Sequence, residues 1–148
     1  MNNEFSEPEA RVRESFSRQG FMRHLCAEIT KLGSGECEIQ VPYREEMTQQ
    51  HGYFHAGVAA AIADSACGYA AYGLMPATSS VLTVEYKINL VAPAAGEILI
   101  ARARVLRSGK TLKICAADVL AVKDGRETLC ATTLSTIMAM QDRSDMGQ

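Results

Sequence analysis

A lone carboxylate inside an apolar run is the first sign of chemistry in this sequence. Asp64 interrupts an otherwise small and apolar stretch from Gly57 to Ala71. Set out at about 100° per residue, that stretch places Gly57, Ala60, Ala61, Cys67, Gly68 and Ala71 within about 60° of Asp64, with Val58, Ile62 and Tyr69 opposite. The bulky side needs a core to pack into. The small side lets another backbone or a narrow ligand come close. Carboxylates are seldom buried unless paired or functional, and aspartate is a poor interior helix residue because its side chain competes for nearby backbone groups. Such a group can attack an electrophilic carbon or take a proton from water. The plainer alternative is an exposed or salt-bridged surface aspartate.

Ahead of this stretch stands His55-Ala56-Gly57. A helix N-terminus offers unpaired N–H groups and the positive end of the helix dipole, which suit a developing oxyanion. An ordinary loop-to-helix junction would read the same way. His51 and His55 have the spacing of a helical metal pair, but Gly52 lies between them and no further histidine or cysteine pair is near, so no metal site is expected. Cys67, one turn past Asp64, reads as a small buried thiol rather than a nucleophile. Arg102, Arg104, Arg107, Lys110 and Lys113 gather around one hairpin. They are either solvated strand charges or contacts to phosphate, which basic side chains bind well. No glycine-rich nucleotide motif follows a strand.

The positioning elements follow from periodicity. Ser6-Glu7-Pro8-Glu9 is a capping box that opens a short helix through Val12 and Phe16, closed by Gly20. Met22 to Leu32 and Glu36 to Tyr43 read as strands around Gly33-Ser34-Gly35, and Arg44 to Tyr53 as a polar loop. Ala56 to Leu74 is the one long helix, rich in alanine and closed by Pro76. Ser79 to Ala92 alternates, with Leu82, Val84, Tyr86, Ile88 and Leu90 on one face and Thr83, Glu85, Lys87 and Asn89 on the other. Strands are expected over Glu97–Leu106, Thr111–Val122 and Arg126–Met140, with Asp124-Gly125 a strong hairpin signal. Short turns imply an antiparallel sheet, and a single alanine-rich helix must bury itself against it: an α+β domain.

Composition sets the outer bounds. The 148 residues suit a single domain, 1–148, with its core over about 16–140 and a polar, frayed tail over 141–148. Net charge −2 and a pI of about 5.9 argue against nucleic acid or an anionic membrane as partner. Five cysteines without a CxxC pair, a polar start and no long apolar run point to a cytoplasmic protein with reduced thiols.

The run Gln49-Gln50-His51-Gly52-Tyr53-Phe54-His55-Ala56-Gly57-Val58, continuing to Ala63-Asp64-Ser65-Ala66, resembles the motif of hotdog-fold thioesterases of the PaaI-like type. Ser80 to Pro93 resembles that family's strand after the central helix, and Val105 to Leu112 its next hairpin. The likeness runs from about Phe16 to Met138. It implies an antiparallel sheet wrapped around one helix, a homodimer or dimer of dimers, and sites shared between subunits. It also implies acyl-CoA thioester substrates with no cofactor, coenzyme A being part of the substrate. Asp64 matches the catalytic carboxylate, as nucleophile or general base. The Ala56 N–H, with Gly57, matches the oxyanion donor, and Gln49, with Gln50 as the neighbouring alternative, the residue touching the thioester or its water. Thr83, from the subunit supplying Asp64, matches a hydroxyl supporting water or carboxylate. His55 matches the shaping histidine of a His-Gly-Gly turn, here His-Ala-Gly. Ala60 and Ala61 would flank the acyl group, and Arg107 and Lys110 the phosphates of coenzyme A. Two other functions fit the same fold: a hydroxyacyl-thioester dehydratase, which would need His51 or His55 in the site, and a non-catalytic acyl-CoA-binding protein, for which Asp64 would be dispensable.

Overall fold

The computed structural model describes residues 6–143. Helix α1 spans Glu7–Ser17, with the Ser6 N–H donating to Glu9 Oε2 at 3.2 Å as the capping box requires. A short helix α2, Gly20–His24, follows. Strands β1 (Glu28–Gly33) and β2 (Glu36–Pro42) form a hairpin whose turn needs Gly35 at φ +75°. After one turn of 3₁₀ helix, Glu45–Met47, the long helix α3 runs over Ala56–Tyr72. Four strands complete the fold: β3 (Ser80–Leu90), β4 (Ile98–Ser108), β5 (Leu112–Lys123) and β6 (Arg126–Met140). Asp124 and Gly125 both take positive φ, the two-residue turn their sequence signals. The tail residues from 144 onward lie outside the described residues.

All six strands form one antiparallel sheet in the order β1-β2-β4-β5-β6-β3. The sheet curls around α3, which touches β2 through β6. Its inner face carries Ile39, Val41, Leu99, Val119 and Ile137 interspersed with Ala101, Ala103, Ala117 and Ala121, all buried. Alanines on the sheet beneath an alanine-rich helix let the two layers approach closely, while Val58, Ile62 and Tyr72 fill the remaining space.

Three expectations are corrected. The segment Met22–Leu32 is not one strand: α2 occupies Gly20–His24, Cys26 turns the chain at φ +54°, and β1 starts only at Glu28. Met22 and Leu25, both buried, are three apart, which is helical spacing. The alternation of β3 is not uniform either. A bulge between Thr83 and Glu85 shifts the phase, so Val81 and Ile88, seven apart and on opposite faces of a regular strand, both pack on the core. Finally, the small face of α3 is open only in its N-terminal half. Cys67, Gly68 and Ala71 are buried, Cys67 with its thiol beside Ser135 of β6 and Cys115 of β5.

Arg11 ties α1 to that buried end. Its guanidinium donates to the carbonyls of Met75 (2.8 Å), Pro76 (2.9 Å) and Tyr72 (3.3 Å) and lies 4.4 Å from the Tyr72 ring centre. A cation there satisfies carbonyls that the helix terminus leaves unpaired and meets the negative end of its dipole. Arg11→Ala is expected to cost about 2–4 kcal/mol in urea denaturation, since buried acceptors lose a charged partner. A change under about 0.5 kcal/mol would place Arg11 among ordinary surface charges.

Candidate active site

Asp64 sits half-buried in the middle of α3, beside the edge strand β3. Thr83 Oγ1 donates to its Oδ1 at 2.8 Å, and no ion pair reaches it among the described residues. Burial pushes its carboxyl above the ordinary carboxylate range, and the Thr83 hydrogen bond pulls part of the way back. An ionised carboxylate with a raised pKa is a stronger base and nucleophile than a free one.

The carboxylate opens on a cleft of about 430 Å³ lined by Gly57, Ala60, Ala61, Asp64 and Ser65 of α3, Gln19, Phe21 and Met22 of the α1–α2 segment, and Tyr86 of β3. The bulge in β3 makes this possible. Thr83 and Tyr86 are three apart and would face opposite sides of a regular strand; with the phase shift, Thr83 reaches Asp64 and Tyr86 lines the same cleft. Gln19, Phe21, Met22, Ser65 and Tyr86 were not singled out from the sequence. The helical spacing of Met22 and Leu25 was the available signal for the first three.

The N-terminus of α3 borders a second cleft, of about 280 Å³, on the other side of the helix. Gln49, Tyr53, Phe54, Ala56, Ala59, Leu90 and Pro93 line it. The Ala56 N–H, at the first helical position, makes no hydrogen bond among the described residues. The Gly57 N–H does: it donates to His55 Nδ1 at 2.8 Å, so the His55 ring is the helix cap. A Cβ on residue 57 would lie 3.0 Å from that nitrogen, so glycine at this position makes room for the ring. The His-Ala-Gly turn thus keeps glycine where the cap needs it. Ala56 needs no special dihedral freedom, since its φ is not positive. Gln49 and not Gln50 lines this cleft; its side-chain oxygen accepts from the His51 N–H, which orients the amide.

His55→Ala is expected to cost about 1 kcal/mol, the usual value of an N-cap, or about 2–4 °C in thermal denaturation. His55→Asn, which keeps an acceptor, should retain most of it. A His55→Ala midpoint equal to that of the wild type would mean that the ring contributes nothing to the helix.

The remaining candidates are dispersed. Arg107 and Lys110 are exposed at the β4–β5 hairpin and line neither cleft. Arg102 is held by Glu38 and Glu127, Arg104 faces Asp118 at 3.8 Å, and Lys113 is buried with its ammonium on the Gly109 carbonyl. His51 is exposed, and His55 has one ring nitrogen committed to the cap. Burial pushes the Cys67 thiol up to about 12, which suits a core residue and not a nucleophile. Among the described residues no group of three His, Cys, Asp or Glu side chains is placed to hold a metal ion. No helix of the described residues is long and apolar enough to cross a membrane.

A sheet curled around one helix, with a desolvated carboxylate halfway along that helix, is the arrangement of a hotdog-fold thioester hydrolase. The chain belongs to the thioesterase superfamily, whose family model matches residues 51–128. Among solved structures it is similar to a thioesterase family protein from Silicibacter pomeroyi, at 45% identity, a TM-score of 0.89, and coverage of 90% of this chain and 98% of that one. The PaaI protein of the E. coli phenylacetic acid degradation operon shares the fold at 18% identity, with a TM-score of 0.79 and coverage of 90% and 93%. A curated relative, the 1,4-dihydroxy-2-naphthoyl-CoA hydrolase of Listeria monocytogenes, is 23% identical over 124 residues, 84% of this chain and 98% of that protein.

Proposed function

We propose that the chain is an acyl-CoA thioesterase in which Asp64 of one subunit and the Ala56 N–H of another act on the same thioester. The observation that carries this reading is the partly desolvated carboxylate, without a cation beside it among the described residues, on a helix face of small residues. A thioester carbonyl is already activated. One carboxylate, one water and an oxyanion donor suffice to cleave it, and no metal or redox group is called on.

The sharing follows from reach. Direct attack needs the nucleophile within about 3–3.5 Å of the carbonyl carbon and the donor about 3 Å from its oxygen. Carboxylate and donor are then no more than about 8 Å apart. Asp64 follows Ala56 by eight positions along α3, about 12 Å along the axis, and the two line separate clefts. Each cleft holds half of a site. A second copy joins the halves if it pairs along β3, an edge strand of eleven residues with Leu82, Val84 and Leu90 more than half exposed. Long apolar edges of this kind invite pairing. Antiparallel pairing of two β3 edges also brings one copy's β4–β5 hairpin to the end of the sheet where the other's Leu90 and Ala56 lie. Arg107 and Lys110 would there meet the phosphates of coenzyme A.

In this reading Gln49 supplies an amide N–H beside that of Ala56, and Thr83 holds Asp64 in its attacking orientation. The test is release of free thiol from a panel of acyl- and aryl-CoA esters, with sedimentation of the same sample. Turnover by a dimer or a dimer of dimers is expected. A monomer at micromolar concentration that still turns over would refute the shared site, and no release from any ester would refute the activity.

A further inference from the structure

The wall of the Asp64 cleft facing α3 comes from a segment outside the matched family region. Gln19, at the start of α2, is held by α3 at both ends of its amide: Nε2 donates to Tyr69 Oη at 3.0 Å, and Ser65 Oγ donates to Oε1 at 3.4 Å. Tyr69 Oη also meets Ser15 Oγ of α1 at 3.2 Å. Met22, 2% exposed, anchors α2 in the core. Between these two fixed residues stands Phe21, which lines the cleft yet leaves 57% of its surface exposed. Tyr86, delivered by the β3 bulge, lines the cleft with it, and Ala60 and Ala61 form the floor. An aromatic ring carried on a segment anchored at Gln19 and Met22, and left open beside the reactive carboxylate, has the form of a wall awaiting an apolar ligand.

We infer that Phe21 sets the length of the acyl group this protein accepts. The acyl chain leaves the thioester at Asp64, runs over Ala60 and Ala61 and stops against the Phe21 ring, and Gln19 is the positioning residue that holds that ring in place. This rests on the thioesterase reading for the identity of the ligand, but its test does not need hydrolysis.

The probes are S-alkyl-CoA thioethers, which cannot be hydrolysed, in a series from ethyl to tetradecyl. Affinity is measured by calorimetry on the full chain. For the wild type, affinity is expected to climb with each added methylene and then stop climbing once the chain meets Phe21. Phe21→Ala should move that break to longer chains and weaken binding of chains near the wild-type limit about tenfold, the usual scale of a lost apolar contact in a pocket. Phe21→Trp should move it to shorter chains. Gln19→Ala should blur the break, because the segment carrying the ring loses its anchor on α3. A break at the same length in the wild type and both Phe21 variants, or no binding of any thioether, overturns the inference. Because Phe21 is exposed, its variants should keep the wild-type circular dichroism and sedimentation. A Phe21→Ala protein that dissociates, with its break unmoved, would show that the ring belongs to the subunit interface. Thiol release from the matching thioesters is scored separately. A moving break without hydrolysis would sink the thioesterase reading and leave the acyl wall standing.

Discussion

Asp64→Asn should reduce thioester turnover by at least about a hundredfold, the ordinary size of an acid–base or nucleophilic contribution, and should leave the protein folded and assembled. Asparagine has the same shape, and its Oδ1 still accepts from Thr83 Oγ1; only the charge is lost. The same substitution should raise the thermal midpoint at neutral pH. Burial holds the folded-state pKa of Asp64 above its unfolded value. Between those two values the folded chain binds the extra proton, so stability falls as pH rises through that window and stays lower above it. Asparagine removes that cost. Activity runs the other way. The carboxylate must be ionised to act, so the acidic limb of kcat/KM should lie above the ordinary carboxylate range and be absent from whatever residual activity Asp64→Asn retains. Loss of stability together with activity would mark Asp64 as a structural residue. An assembled Asp64→Ala protein with near wild-type thiol release would end the assignment altogether.

What could be read in advance divides by the range of the interaction that decides it. The small face around Asp64 and the N-terminus at Ala56 were legible because helix geometry is local: residue types at a spacing of 3.6 state where side chains point. The Asp124-Gly125 turn was legible for the same reason. The β3 bulge was not. Whether Thr83 and Tyr86 face one cleft depends on how β3 pairs with β6, and Ile137 and Thr136 give no local sign of the shift. Helix α2 was hidden because Phe21 and Met22 suit a strand as well as a helix. Its helical state is decided by Met22 and Leu25 reaching the core and by Gln19 bonding to Tyr69, fifty residues away. The role of Gly57 was half legible. The sequence marked it as part of an oxyanion turn, while its amide is occupied by the His55 ring, a contact that depends on the side chain's rotamer.

That assignment of amides leads to the most demanding expectation. Ala56→Pro should lower kcat about 10²- to 10³-fold, the cost of removing one oxyanion donor, with little change in stability. Proline is well tolerated at the first helical position, where the N–H has no helical partner, and His55 already holds the extended conformation a residue before proline requires, at φ −63°, ψ 140°. The two crippled chains then report on how the site is divided. Dimers carrying one Asp64→Asn subunit and one Ala56→Pro subunit, purified through two different tags, contain one site with both defects and one with neither. They should recover about half of the wild-type activity, from parents each reduced about a hundredfold or more. The reciprocal mixture reverses the result. A wild-type subunit paired with a subunit carrying both substitutions places one defect in each site, and such a dimer should be nearly inactive. If Asp64 and Ala56 served the same carbonyl within one chain, the first mixture would stay at the level of its parents and the second would keep half its activity. Both outcomes cannot be produced by misfolding, because the same two substitutions are present in each dimer and only their distribution between subunits differs.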